Sequence, residues 1–503
     1  MPGRIIFALV AALALGAAPA QAAFLEYGGL LGGQTDGIAL GPDGNLWIGT
    51  MSNDSIVRMD QTGKVLQRYA VGGDASDITT GPGGRVWAAV DIDPAGGKLV
   101  WFDALSASPT AHDKSTNGVS TCGPVAVESG GDGKMYMTLP QAEGCPDPSR
   151  LGFFNADGTG GPTVVNDAGG AQALDIAVAG GKLFVPDFAG DVVRRRALNA
   201  ALTVETTITI PGGGDPAAIS GDGAGNVWTT LRNGNGVARF MASQNGGVAT
   251  VLTPSGGSLT TPFGIVPGGD GGMYAAGFNS TNVARIDRAT NAFTFFAGPA
   301  DAYPWRIAAG TDDDFWVTDR GNARVLRLLR GAPRIGTLNL GADSPTSAVL
   351  DIQIDPRGAP TQLVVDYGPT AAYGTTTSPI SIPAGAGFTQ QRVTLSGLSP
   401  MTDYHARARA TNADGESSTG DMVFNTPPSP GLPPGRTPPG VLPPPNVVPP
   451  GVLPARIDAR GRASRRFTRI TRLRVRQLTG GETIVVTCTG RGCPFRTRTT
   501  RSV

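Results

Sequence analysis

Two short segments of this 503-residue chain share one design: Pro262-Phe263-Gly264-Ile265 and Pro304-Trp305-Arg306-Ile307, the second preceded by Tyr303. Aromatic rings and a guanidinium side by side can hold a ligand by stacking and by cation–π attraction. Phe263, Tyr303, Trp305 and Arg306 are therefore candidate ligand-binding residues. Three carboxylates, Asp36, Asp77 and Asp175, stand just before other apolar positions of the same kind. Three acids around one opening could coordinate a hard cation, Ca2+ or Mg2+, through oxygen. The plainer reading is that they cap turns or accept from backbone N–H groups. The chain has two histidines, His112 and His405, which leaves little room for a catalytic triad or a zinc site. Neither a Gly-x-Ser-x-Gly elbow nor a His-Glu-x-x-His helix is present.

The elements that place these residues form a repeat. An apolar residue is followed by a large aromatic in the pairs Ile38/Trp47, Ile78/Trp87, Val127/Tyr136, Ile176/Phe184, Ile219/Trp228, Ile265/Tyr274 and Ile307/Trp316. Between the two members lies a turn rich in Gly and Asp, such as "GPDGN" or "GGDGK", suited to a tight hairpin. A third strand follows ("SIVRM", "GVARF", "NVARI"), then a fourth ("VLQRYA", "AFTFFAG"). Four strands in a unit of about 40–50 residues make a propeller blade. With 74 Gly, 41 Pro and only 16% charged residues, the composition favours an all-β chain with many turns. The seventh repeat lacks an outer strand of its own. "FLEYGG" at Phe24–Gly29 is the strand expected to close that last blade and remove an open edge. Trp47, Trp87, Trp228 and Trp316 then read as packing residues between blades.

The repeat "GPDGNLWIGT…SIVRMDQTGKV" resembles the virginiamycin B (streptogramin) lyase family, and "DRGNARVLRL" is similar to NHL-type repeats. The resemblance covers about Phe24–Arg330. It implies a seven-bladed propeller and, for the lyases, Mg2+-dependent C–O elimination on a cyclic depsipeptide. In that family Pro-His-Gly/Ala-Ile opens two blades, and glutamates near the later histidine serve the metal. Here Phe263 stands where the substrate-binding histidine would be, Trp305 where the general base would be, and Tyr303 at the first glutamate. Asp319 and Arg320 lie near the second. A tryptophan cannot take a proton at neutral pH, so the resemblance carries shape without its chemistry.

Beyond the repeats the pattern changes. "LSGLSPMTDYHARARATNADG" resembles a fibronectin type III domain, with Leu398, Pro400 and Tyr404 as its Leu-x-Pro-x-x-x-Tyr core, over 333–426. Tyr404 would make the corner hydrogen bond. Residues 427–455 follow; 13 of the 28 residues in 427–454 are Pro, a semi-rigid spacer. The segment 456–503 carries 13 Arg against one Asp and one Glu, a net +11, in a chain whose total is +1. It reads as a small basic β module around Cys488 and Cys493, left open as incomplete. Its expected counterpart is an anionic cell-wall polymer or a membrane surface.

At the other end, "MPGRIIFALVAALALGAAPAQAAF" has a basic start, an apolar run and an Ala-x-Ala site at residues 20–22, as in a secretory signal peptide over 1–22. Four cysteines suit an oxidising compartment. Three pairings are possible; the local one, Cys122–Cys145 with Cys488–Cys493, is the expectation adopted. The propeller is expected over 23–332. The resulting functional reading is a secreted or envelope-associated binding or scaffold protein for an extracellular ligand. The alternative is a metal-dependent lyase or lactone/ester hydrolase working at the channel mouth.

Overall fold

The computed structural model describes residues 24–29, 31–92, 96–116, 122–141, 148–167, 172–254 and 259–429, and the backbone of strands between 456 and 501. Every regular element among them is a strand. Seven four-stranded antiparallel sheets follow one another as the blades of a β-propeller. Blade one runs Thr35–Leu40, Leu46–Thr50, Ser55–Met59 and Val65–Ala70 from inside outwards. Blade seven runs Pro304–Ala309, Phe315–Asp319 and Arg324–Leu328, and its outer strand is Phe24–Tyr27, paired antiparallel with Arg324–Leu328. Blades one and seven pack against each other through Leu31, Ile38 and Val57 on one side and Ala308, Trp316 and Val325 on the other.

One local design explains why the repeat looks as it does. The aromatic of the second strand is fully buried: Trp47, Trp87, Trp228 and Trp316 have no exposed surface. In blades one, three, five and six its polar edge bonds to the aspartate of the preceding turn: Trp47 Nε1 to Asp43 (3.2 Å), Tyr136 OH to Asp132 (2.8 Å), Trp228 Nε1 to Asp222 (3.3 Å) and Tyr274 OH to Asp270 (2.9 Å). In blades one, six and seven an arginine of the third strand pairs with that turn aspartate, as Arg58 with Asp43, Arg285 with Asp270 and Arg327 with Asp314. The guanidiniums of Arg58, Arg239 and Arg327 lie 5.7, 5.2 and 5.0 Å from the tryptophan ring centroids of their blades. The Asp–aromatic–Arg spacing thus ties turn, second strand and third strand into one unit.

A second all-β lobe follows, with a three-stranded sheet (Arg334–Ser344, Ser347–Asp355, Thr389–Ser396) facing a six-stranded one built around Thr361–Gly368 and Asp403–Asn412. Leu350, Ile352, Leu363, Val365, Ala406 and Phe424 fill the shared core. Tyr404 OH accepts from the Ser399 N–H at 3.0 Å. This lobe and the propeller fall within one compact unit ending at Ser429. Buried Arg357 is one tie between them. From the second lobe it donates to Asp314 Oδ1 (2.6 Å) and to the carbonyl oxygens of Asp312 and Arg330 in the propeller and its exit. The second unit, Pro430–Val503, contains two antiparallel hairpins, Arg456–Ala463 with Thr468–Arg476 and Thr483–Thr487 with Thr497–Arg501. The expected signal peptide, most of the Pro-rich spacer, and Cys145, Cys488 and Cys493 with both expected disulfides lie outside the described residues; Cys122 is buried.

Candidate functional site

The innermost strand of a blade borders the axial channel. In blades one, two, five, six and seven this strand carries a register shift immediately before its apolar position, at Thr35/Ile38, Ala75/Asp77, Pro216/Ile219, Pro262/Ile265 and Pro304/Ile307. A bulge leaves an extra residue unpaired and re-aims its side chain. The residue before the apolar position is Gly37, Asp77, Ala126, Asp175, Ala218, Gly264 and Arg306 in chain order. Two of these must be glycine. A Cβ on Gly37 would come 2.8 Å from the Asp77 backbone, and one on Gly264 2.8 Å from the Arg306 Cα and the Trp305 carbonyl.

Small residues at four of the seven places leave room for one long side chain, and Arg306 takes it. From blade seven its Nη1 reaches Asp77 of blade two (3.1 Å) and Asp175 of blade four (3.4 Å), and its Nη2 the Leu174 carbonyl (3.4 Å). All three charged residues are at most 9% exposed. Burial opposes the arginine's charge, but Asp77 and Asp175 hold it firmly protonated. Burial pushes the Asp77 carboxyl up to about 7, against the pull of Arg306, and raises Asp175 in the same way. The two aspartates also stitch neighbouring blades: Asp77 accepts from the Val127 N–H and Asp175 from the Ile219 N–H, both at 3.0 Å.

Asp36, Asp77 and Asp175 do gather at one end of the channel, but Arg306 supplies the counter-charge for two of them. Asp36 accepts from Trp305 Nε1 at 2.5 Å and lies 3.9 Å from Arg320. Among the described residues no group of three or more His, Cys, Asp or Glu is placed to hold a metal. Asp319 is likewise occupied by the Tyr303 N–H (2.9 Å), Arg324 and Asn322.

The aromatic candidates divide. Phe263 and Trp305 stack face to face at 3.8 Å and are 3% and 7% exposed, so they pack blade six on blade seven and offer little open floor. Arg306 lies over Phe263 and Arg320 over Trp305, at 5.2 and 4.4 Å. Tyr303 alone of the four is open, at 43%. Sequence reasoning missed its neighbours. Four residues beyond the second-strand aromatic come Phe188, Arg232, Phe278 and Arg320 in blades four to seven. Phe278 meets Tyr303 (5.6 Å) and the edge of Trp305 (5.2 Å), and Arg232 lies 5.5 Å from Phe188. The fixed offset from the repeat aromatic was the signal that would have found them. Glu128 of blade three was missed too. It receives a hydrogen bond from Thr79 (3.3 Å), and burial, with Asp77 and Asp175 nearby, pushes it up to about 8.

Comparison with known proteins fits this geometry. The NHL repeat family matches residues 302–328, which make up most of blade seven. A streptogramin B lyase structure superposes with a TM-score of 0.52 at 18% identity, over 61% of this chain and 97% of that one. A catalytically inactive histidine-to-alanine virginiamycin B lyase from Staphylococcus aureus, with quinupristin, gives 0.51 at 17%, over 61% and 98%. The likeness is one of fold. No curated protein sequence matches the chain.

Proposed function

We propose that this chain is a secreted binding or scaffold protein, whose propeller takes a ligand at the channel mouth without performing the lyase reaction. The observation that carries the reading is Arg306, locked across the channel between Asp77 and Asp175 beside the Phe263–Trp305 stack. Those two aromatics occupy the places where the resembling lyases keep their histidines, and neither can act as a base. What remains open to a ligand is a rim of Phe188, Arg232, Phe278, Tyr303 and Arg320, suited to planar and acidic groups. The leader-like N-terminus supports export, the second lobe serves as a fibronectin type III-like spacer, and the +11 segment favours an anionic envelope surface. Incubation of the full chain with quinupristin and Mg2+, followed by liquid chromatography and tandem mass spectrometry to tell the ring from an opened product of equal mass, is expected to return the intact ring. A water-neutral, ring-opened product would overturn the reading.

A second reading, hydrolysis of a lactone or ester at the mouth, draws on Glu128. A carboxyl pushed up to about 8 can hold a proton at neutral pH, as a general acid must.

A further inference from the structure

Outer strands of the blades are edges, and natural sheets blunt an edge with charge, brevity or polar side chains. Most blades here do so: the outer strands read VLQRYA, AHDKS and VETTIT in blades one, two and four, and blade five has only Thr250–Leu252. Blade six departs from the pattern. Its outer strand, Phe293–Ala297, reads FTFFA and pairs on one side only, with Asn282–Asp287. Phe293 and Phe295 are half-buried between blades five and six, while Phe296 turns towards blade seven.

Two cavities flank this edge and share Phe295. One, of about 490 Å3, lies between Phe293, Phe295 and the Val251–Pro254 stretch of blade five. The other, of about 790 Å3, runs from Phe295 and Phe296 to the second lobe at Gly358 and Asp414. The charged groups around the larger cavity are Asp270, Asp313 and Asp414 against Arg285 and Arg330. Both arginines are taken, Arg285 by Asp270 and Arg330 by Asp414. Asp313 is the acid left over. It is exposed, and among the described residues its carboxylate has no hydrogen-bond or ion-pair partner.

We propose that the outer strand of blade six is a docking edge for an extended peptide, which adds to it as a fifth strand. Main-chain hydrogen bonds would supply affinity, as in other strand additions. Successive side chains of a strand point to opposite faces, so two apolar residues at neighbouring positions can enter the two cavities, one on each side of the edge. The leftover carboxylate selects an arginine or lysine at the end of the peptide that reaches the second lobe. This site is independent of the channel mouth and of any ligand bound there.

The test uses the full chain and a fluorescein-labelled threonine-rich peptide with two adjacent valines at its centre and arginine at both ends. Its partner probe carries glutamine in place of arginine. Saturable anisotropy is expected with the arginine peptide. Asp313→Asn, which suits the left-handed φ of 60° at this position, should weaken the arginine peptide about fivefold, the size of one partly shielded ion pair. The same change should leave the glutamine peptide unaffected. Phe295→Asn should weaken both at least tenfold, with the melting curve recording whether the blade stays folded. Absence of saturation, or affinity indifferent to both substitutions, overturns the proposal. So does a chain that dimerises through this strand and is not dissociated by the peptide.

Discussion

Replacing Arg306 with methionine removes the arginine that bridges Asp77 and Asp175, and the effect should depend on pH. At 3.1 Å and an effective dielectric near 20, one such pair attracts by roughly 5 kcal/mol before the desolvation of the arginine is set against it. Truncating one member of a buried pair costs about 3–5 kcal/mol, because the other charge is left buried alone. The stranded aspartates can escape that penalty by taking up protons. Asp77 already titrates at about 7 with its partner present, so without Arg306 it should stay protonated to higher pH still. The sign follows. In the variant the folded form binds more protons than the unfolded one across a wider range, so its stability falls as pH rises. At pH 5 Asp77 is neutral in the variant, and the loss should be about 1 kcal/mol, mostly packing. At pH 8 it should approach 3–5 kcal/mol. Urea unfolding of the wild type and the variant at pH 5, 6, 7 and 8 measures the difference. Adding Asp77→Asn and Asp175→Asn to Arg306→Met should recover most of the loss at pH 8, read as a mutant cycle. A loss that is the same at every pH, or below about 1 kcal/mol at pH 8, would refute the assignment of Arg306 as the counter-charge of the channel.

Two further outcomes follow from the same channel. Glu128, raised from 4.5 to about 8, contributes a stability that is complete below pH 4.5 and is lost as pH rises to 8; Glu128→Gln should therefore leave the unfolding midpoint at pH 5 unchanged and raise stability at pH 9 by about 1–3 kcal/mol, below the ~5 kcal/mol ceiling that a shift of that size allows. Gly264→Ala places a methyl 2.8 Å from the Arg306 Cα and the Trp305 carbonyl, so blades six and seven must part; thermal melts should report a loss of about 2 kcal/mol or more, and a neutral result would mean that the two inner strands can separate freely.

Much of the architecture was legible in the sequence because a propeller is built from local rules. The spacing from Ile38 to Trp47 and its six counterparts describes a hairpin, and a hairpin's register is set by its own turn. The same locality located the buried tryptophans, since each sits in the middle of a strand flanked by two neighbours in its sheet. Strand addition at Phe24–Tyr27 was the one long-range pairing expected, and it rested on likeness to another outer strand, not on a contact rule.

What the sequence could not decide lies where blades meet across the axis. Asp36, Asp77 and Asp175 were read together with Arg306 as neighbours of one opening, but nothing in their spacing says that Arg306 spans from blade seven to blades two and four. That depends on the glycines and alanines at the equivalent positions leaving space, and on the bulges in blades one, two and seven that re-aim Asp36, Asp77 and Arg306. Likewise the residue types name Trp305 as a binding candidate and say nothing of its burial; its stack on Phe263 and its bond to Asp36 come from residues 42 and 269 positions away. A repeat specifies its own blade, because those contacts are short-range. The charge balance of the channel belongs to the closed arrangement of seven blades, and only the tertiary structure fixes which acid meets which base.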